Sequence, residues 1–263
     1  MFSRFKFFTL LLIAGLISSC SALDSYFATP LPSLPTQTAL PTSTFAWFAA
    51  SATPTPQAFP TQISTPEMRP GLGDVFITDT LTQKSLWDTA ISDQASAEIE
   101  DNRLNLSVKS GVYIISLRHE LVVNDFYAEM TARPGLCKGN DSYGFLVRAN
   151  AVAYYRFSLT CNGTVSAERI SIGTRQILQV PVPSGDAPPG APGEVRMGVW
   201  ASGTEMRLFL NGRYQFSVVD SNYASGTVGV FVNSAGDTAA VVSFSKLTVQ
   251  NISYTPPTQT AQP

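Results

Sequence analysis

From about residue 71 to residue 254 the chain alternates short apolar runs with turn residues. The runs Asp74–Thr78, Leu104–Val108, Val112–Leu117, Phe126–Thr131, Tyr143–Ala149, Tyr155–Leu159, Val195–Trp200, Met206–Leu210, Val228–Val232 and Val241–Val249 are rich in β-branched and aromatic residues. Turn signals separate them at roughly 8–12-residue intervals, the spacing of an antiparallel sandwich or barrel. No stretch of useful length has helical periodicity. About 180 residues suffice for one sizeable core, and Trp87 and Trp200, single aromatics in strand-like runs, are expected inside it.

Three hairpins can be read with their register. Asn211-Gly212 stands between Leu208-Phe209-Leu210 and Arg213-Tyr214-Gln215-Phe216. Asn-Gly suits a type I′ turn, whose central residues both need positive φ, and it sets Phe209 opposite Tyr214. Asn162-Gly163 suggests a second hairpin. In the third, Tyr143–Ala149 pairs with Tyr154–Thr160. If Phe145 and Val147 share a face with Phe157 and Tyr155, parity requires the three-residue loop Asn150-Ala151-Val152. Arg148 then lies opposite Tyr154, and Leu146 opposite Arg156. Arg148, Tyr154 and Arg156 would gather on the face turned away from the core, as a candidate binding site or as one ordinarily solvated face of a sandwich. The same register places Cys161 opposite Asp141. Cys137 lies four residues earlier, and a loop turning over Gly139 would bring the two sulfurs within bonding range.

Before residue 71 the texture differs. Met1 to Lys6 carries two positive charges, Phe7 to Ile17 is an apolar run of 11 residues, and Ser18-Ser19-Cys20 follows. The run is too short to span a bilayer and fits a secretory signal. The segment resembles the lipobox of bacterial lipoproteins. That resemblance implies a signal peptide over residues 1–19, lipidation of Cys20, and anchoring to the cell membrane on its extracytoplasmic face. Residues 25–66 contain no Asp, Glu, Lys or Arg, and half of the chain's 18 prolines fall between Pro30 and Pro70. Such sequence favours extended backbone without a core, so residues 20–70 are expected to form a disordered tether. At ~3.1 Å per residue, roughly 50 residues would reach up to ~150 Å. Phe45-Ala46-Trp47-Phe48-Ala49-Ala50 interrupts it as a sticky spot or a second contact. Residues 255–263 repeat the tether's composition and are expected to be a disordered tail.

Charge and cysteine count narrow the functions. A net charge of −2 gives no basic field for nucleic acid. His119 is the single histidine, which removes most His-based catalysis and most metal sites. Once Cys20 is the mature N-terminus, an exported chain retains only Cys137 and Cys161, which favours a disulfide over two free thiols.

The segments Tyr143-Gly144-Phe145-Leu146-Val147-Arg148, Tyr154-Tyr155-Arg156-Phe157-Ser158-Leu159 and Asn162-Gly163 carry a family resemblance. So do Met206 to Gly212, Asp220, Tyr223, Gly226 and Val228-Gly229-Val230. Together they resemble concanavalin A-like and laminin-G-like domains, including those related to 3-keto-disaccharide hydrolases. The resemblance covers residues 74–252 or so. It implies an all-β jelly-roll sandwich over residues 71–254, with a carbohydrate or glycoconjugate as the leading ligand class.

The chain departs from the enzymes of that group. Laminarinase-type members carry Glu-x-Asp-x-Glu, and no such triplet occurs here. Asp125, Tyr127 and Glu129 share a face, but the end carboxylates lie about 13 Å apart along a strand, beyond the separations that glycoside hydrolysis uses, and read as solvated. Glu98 and Glu100, about 6.6 Å apart by the same rise, read as a polar strand face before a turn. His119 reads as a surface residue at a strand end. No catalytic residue is assigned. Laminin-G-like domains often hold calcium, and Asn140, Asp141 and Asp237 offer oxygens here, but they form no recognisable loop motif, so no metal site is assigned. The expected function is glycan binding by a membrane-anchored module. The alternatives are a glycoside or 3-keto-disaccharide hydrolase, or a structural module of the envelope.

Overall fold

The computed structural model describes residues 67–255; Cys20, the tether up to residue 66 and the tail from residue 256 lie outside the described residues. The strands are β1 (Leu72–Asp79), β2 (Ala90–Ile91), β3 (Ala95–Glu100), β4 (Arg103–Val108), β5 (Tyr113–Leu117), β6 (Phe126–Leu136), β7 (Ser142–Ala149) and β8 (Tyr154–Thr160). They continue with β9 (Thr164–Ser171), β10 (Thr174–Pro183), β11 (Val195–Ser202), β12 (Glu205–Leu210), β13 (Arg213–Val219), β14 (Thr227–Asn233) and β15 (Ala240–Ile252). One short 3-10 turn, Lys84–Leu86, is the single helical element among the described residues.

The strands form two antiparallel sheets. The nine-stranded sheet runs β13-β12-β11-β6-β15-β4-β3-β2, with β1 also on β15; the six-stranded sheet runs β10-β9-β8-β7-β14-β5. Strand β15 serves two neighbours on one edge, pairing with β4 through Ala240–Phe244 and with β1 through Leu247–Ile252. A bulge between them, where Lys246 has φ 57°, lets the strand change partners.

Alternation builds the core. Phe126, Ala128, Met130 and Ala132 of β6 face Tyr143, Phe145 and Val147 of β7, Tyr155, Phe157 and Leu159 of β8, and Val228, Val230 and Val232 of β14. The expected pairs Phe145–Phe157, Val147–Tyr155, Leu146–Arg156 and Phe209–Tyr214 are all formed. Asn211 and Gly212 both take positive φ, as a type I′ turn requires. Asp101 and Asn102 do the same between β3 and β4, a hairpin without an Asn-Gly signature.

The hairpin expected at Asn162-Gly163 is formed and joins β8 to β9, whereas β2 and β10 had no run of their own in the sequence pattern. β9 and β10 form a hairpin at the edge of the six-stranded sheet. β10 reads Thr-Arg-Gln-Ile-Leu-Gln-Val-Pro-Val-Pro, and its prolines are tolerated because an edge strand need not donate on its outer side. Trp87 lies in the core as expected, whereas Trp200 corrects the reading. It is fully buried, yet it points out of the nine-stranded sheet, where Met68, Ile252 and Tyr254 cover it. Residues 68–70 thus pack on the domain rather than belonging to a tether that ends at residue 70. Cys137 and Cys161 are joined as a disulfide, with Cα atoms 5.7 Å apart.

Candidate binding face

The outer face of the six-stranded sheet carries a second apolar cluster separate from the core. Leu117, Leu146, Ala149, Tyr154 and Phe231 are buried in it, with Tyr113, Ile115 and Ile170 packed at its margin. A sheet face open to water would leave these side chains exposed; here they cover one another. Gly144 makes room for this. A Cβ there would lie 2.9 Å from Cε1 of Phe231 and 2.0 Å from the carbonyl oxygen of Phe157, so glycine lets the Phe231 ring settle onto the sheet.

Two tyrosines close over this floor from opposite sides. Tyr113 is on β5 and Tyr154 on β8, three strand positions apart, a span of about 14 Å at ~4.8 Å per strand. Their hydroxyls nevertheless meet at 3.1 Å. Burial, and then the hydrogen bond with Tyr154, push the Tyr113 phenol well above its ordinary pKa, so it stays protonated. The Arg156 guanidinium lies 5.3 Å from the Phe231 ring centre and 5.6 Å from that of Tyr113, a cation–π arrangement on both rings.

Beside the rings runs an ionic triad. Glu168 receives Arg156 on one carboxylate oxygen and Arg175 on the other, with Nε of Arg156 at 3.1 Å and Nε of Arg175 at 2.7 Å, and the Nη2 of each arginine donating to the same oxygen as its Nε. The Glu168 side chain is 6% exposed and that of Arg175 62%. Burial alone would raise the Glu168 pKa; hydrogen bonds from Arg175 and Arg156 outweigh it and hold the carboxyl below its ordinary value. Burial likewise opposes the charge on Arg156, and Glu168 more than restores it.

The three residues expected on this face separate. Tyr154 and Arg156 point outward from it, Tyr154 buried under Tyr113 and Arg156 half-buried. Arg148 does not join them. It has φ 48° at a bulge where the pairing of β7 with β14 shifts register, and that extra residue breaks the alternation. Its guanidinium is buried at the rim of the sandwich. There it donates to the carbonyls of Asn124 and Tyr223 and lies 3.7 Å from Asp125. Tyr113, Phe231, Glu168 and Arg175 were missed. Parity in Val228–Val232 would have turned Phe231 outward, but Glu168 and Arg175 needed the unrecognised β9–β10 hairpin.

The other candidates are occupied structurally. Asp125, Tyr127 and Glu129 are not a solvated row. Tyr127 is buried beneath Arg69, whose guanidinium sits 5.4 Å from its ring, and donates its hydroxyl to Glu129 at 2.6 Å. Nearby, Trp200 donates to the carbonyl of Pro70 at 3.1 Å, and Arg207 stacks on it at 4.6 Å. Asp141 is fully buried and accepts backbone N–H groups of Lys138, Ala235 and Gly236, so its lone pairs serve the loops rather than a cation. Asn140 accepts from the amide of Asn162, and Asp237 is exposed. Among the described residues no three His, Cys, Asp or Glu side chains converge as metal ligands. Glu98 lines a shallow cleft with Lys84 and Ile91 at the β2–β3 edge; Glu100 is exposed. His119 bonds Asp88 at 2.6 Å on the surface.

The remaining motif residues hold the rim. The Tyr155 hydroxyl donates to Asp220 at 2.6 Å and accepts the backbone N–H of Tyr223 at 3.0 Å. Burial first, then the Asp220 bond, push its pKa up to about 12. Gly226 passes so close to β7 that a Cβ would stand 2.4 Å from the carbonyl carbon of Arg148.

No family model matches the chain, and no curated protein sequence matches it. Solved structures share its fold. A carbohydrate-binding module, CBM66, from Bacillus subtilis matches with a TM-score of 0.51 and 16% identity, over 63% of this chain and 96% of its own. The catalytic domain of an endo-1,3-β-glucanase (laminarinase) from Thermotoga petrophila gives 0.51 and 8%, over 69% and 99%. A Bacillus subtilis protein of unknown function with a galectin-like fold gives 0.50 and 14%, over 68% and 97%. At such identities the likeness is one of architecture: residues 67–255 form a two-sheet, antiparallel jelly-roll-like sandwich, an architecture found in a binding module and in a glycanase alike.

Proposed function

We propose that this chain is a lipid-anchored, extracytoplasmic protein whose sandwich binds carbohydrate on the outer face of the six-stranded sheet. The observation that carries this reading is the Tyr113–Tyr154 pair closing over Phe231 beside Arg156. Tyr113 presents a partly exposed ring over the covered rings of Phe231 and Tyr154, edged by the fixed guanidiniums of Arg156 and Arg175, an apolar platform with few polar anchors of the kind that sugar rings and their hydroxyls require. The fold neighbours named as a carbohydrate-binding module and a laminarinase are consistent with it. Hydrolysis, including that of 3-keto-disaccharides, is the weaker reading. Glycoside hydrolysis of the usual kind needs two carboxylates roughly 5–9.5 Å apart. Glu168 is the sole carboxylate among the described residues of these six strands, and two arginines hold it ionised.

Anchoring rests on the Cys20 segment and the charge-free tether. Support comes from where the chain enters the domain. Met68 and Pro70 pack outside the nine-stranded sheet, on the side opposite the candidate face. Cys20→Ser is expected to release the protein from the membrane fraction or leave its signal uncleaved. A variant that matures and fractionates like wild type would remove the anchor, since the acyl chains depend on the thiol.

The binding face is tested by Tyr113→Leu. It keeps apolar bulk while deleting the ring and hydroxyl, and is therefore a cleaner probe than Tyr154→Ala, which would open a cavity. After a glycan screen of the purified domain, the variant should bind the selected glycan about tenfold or more weakly, with little change in melting temperature. Unchanged affinity would place the site elsewhere.

A further inference from the structure

We infer that the glycan recognised by this face carries carboxylate groups, as uronic acid residues do. The inference rests on the binding-face reading and concerns what that face selects. A carboxylate offers about four lone-pair positions, and Glu168 has given all of them to Nε and Nη2 of Arg156 and Arg175. The one carboxylate carried by these strands is spent. Each guanidinium has used one edge on Glu168; Arg156 also interacts with Tyr113, whereas Nη1 of Arg175 makes no hydrogen bond among the described residues. Two cations against one anion leave an excess of one positive charge, on strands that carry no Asp and no Lys. The chain as a whole is at −2, so this excess is local.

The surroundings amplify it. Arg156 lies against the Phe231 and Tyr113 rings, where water is sparse and an unneutralised charge interacts more strongly than in bulk solvent. The Tyr113–Tyr154 pair adds to the same side: one hydroxyl donates to the other, and a single O–H is left over. Arg175 stands on the edge strand β10 with most of its side chain in solvent, within reach of an arriving chain. A neutral sugar presents donors and acceptors in equal measure, and the donors would find few acceptors here. An oxyanion presents only acceptors. Arginine edges match planar carboxylates in particular, by two parallel N–H···O bonds.

The experiment is calorimetric titration of the soluble domain with oligogalacturonate, dextran sulfate and neutral laminari-oligosaccharide. The domain is used as wild type, as Arg175→Gln, as Tyr113→Leu and as Arg213→Gln. Arg213 is a matched control: an exposed arginine paired with an aspartate, on the other sheet. Arg175→Gln leaves Glu168 paired with Arg156, so the fold should persist, and melting temperatures check this. The expected result is that oligogalacturonate binds best and loses about tenfold in affinity in Arg175→Gln and little in Arg213→Gln. Its binding should also weaken from about 0.05 to about 0.5 M NaCl. Equal loss in both variants, or stronger binding of dextran sulfate, would overturn the carboxylate assignment as mere charge attraction. Preference for the neutral oligosaccharide, unaffected by Arg175→Gln but weakened by Tyr113→Leu, would overturn it and leave the binding face standing. Failure of all three ligands to bind would count against both.

Discussion

Replacing Glu168 by leucine is expected to lower the unfolding free energy of the domain by about 3 kcal/mol, near the low end for removing one partner of a buried ion pair. Glu168 is nearly inaccessible, and its loss would leave the half-buried Arg156 guanidinium, 17% exposed, without a counter-ion between two aromatic rings. Arg175 is largely in water and would lose little, which is why the upper end of the range is not expected. Urea unfolding measures the difference, and Glu168→Leu combined with Arg156→Leu should recover much of it, because two apolar side chains need no counter-ion. A single variant as stable as wild type would mean that Arg156 escapes to solvent and that the triad does not order the face. The same group sets the acid limb. Its folded pKa lies below the ordinary carboxylate value, so the unfolded state binds protons first as pH falls. The stabilisation is complete above the ordinary carboxylate range and is lost as pH drops through the lower folded value. Asp220 acts in the same sense: burial raises its pKa, and bonds from Tyr155 and Asn222, with the charge of Arg169, more than offset that. Glu168→Leu should therefore flatten the acid limb only in part.

The sandwich was legible in sequence because its inner faces obey strict alternation. The β7–β8 register followed once Phe145 and Val147 were taken to share a face with Phe157 and Tyr155, as they do, and Asn211-Gly212 marked the β12–β13 turn. The candidate face was legible only in part, because a single-residue bulge has no strong sequence signature. Arg148 takes a left-handed φ that an arginine rarely adopts, and this one residue turns its side chain from the outer face to the rim. Long-range pairing hid the rest. Tyr113 and Tyr154 meet across three strands, and Trp200 is covered by residues 130 positions away, such as Pro70. The motif that resembled laminin-G-like domains proves to be made mostly of residues that hold the fold. Gly144 seats a ring, Tyr155 and Asp220 lock the rim, and Gly226 permits close approach. That explains why the resemblance spoke to architecture and said little about ligand.

Removing the disulfide should have an effect of similar size at the opposite end of the chain's chemistry. In Cys137→Ala/Cys161→Ala the bridge across a sequence separation of 24 residues is lost, and the chain-entropy relation gives about 3.5 kcal/mol for such a loop. For a domain of this size each kcal/mol shifts the melting temperature by roughly 2–4 °C, so a drop on the order of 10 °C is expected by calorimetry. Both cysteines are buried, so a mild reductant should leave the native domain intact and act only once denaturant opens it. A competing anchor exists in the same place. Asp141 clips residues 138, 235 and 236 through its carboxylate and accepts the N–H of Cys161 on its own carbonyl at 2.9 Å. Asp141 bonds Cys161 directly and Lys138 beside Cys137, so the two anchors should be coupled rather than additive. Asp141→Ala should then cost more in the cysteine-free background, where it is the remaining anchor of the loop, than it does in wild type. If the cysteine-free domain instead loses less than about 1 kcal/mol, the loop is held by the buried aspartate, and the disulfide is secondary to it.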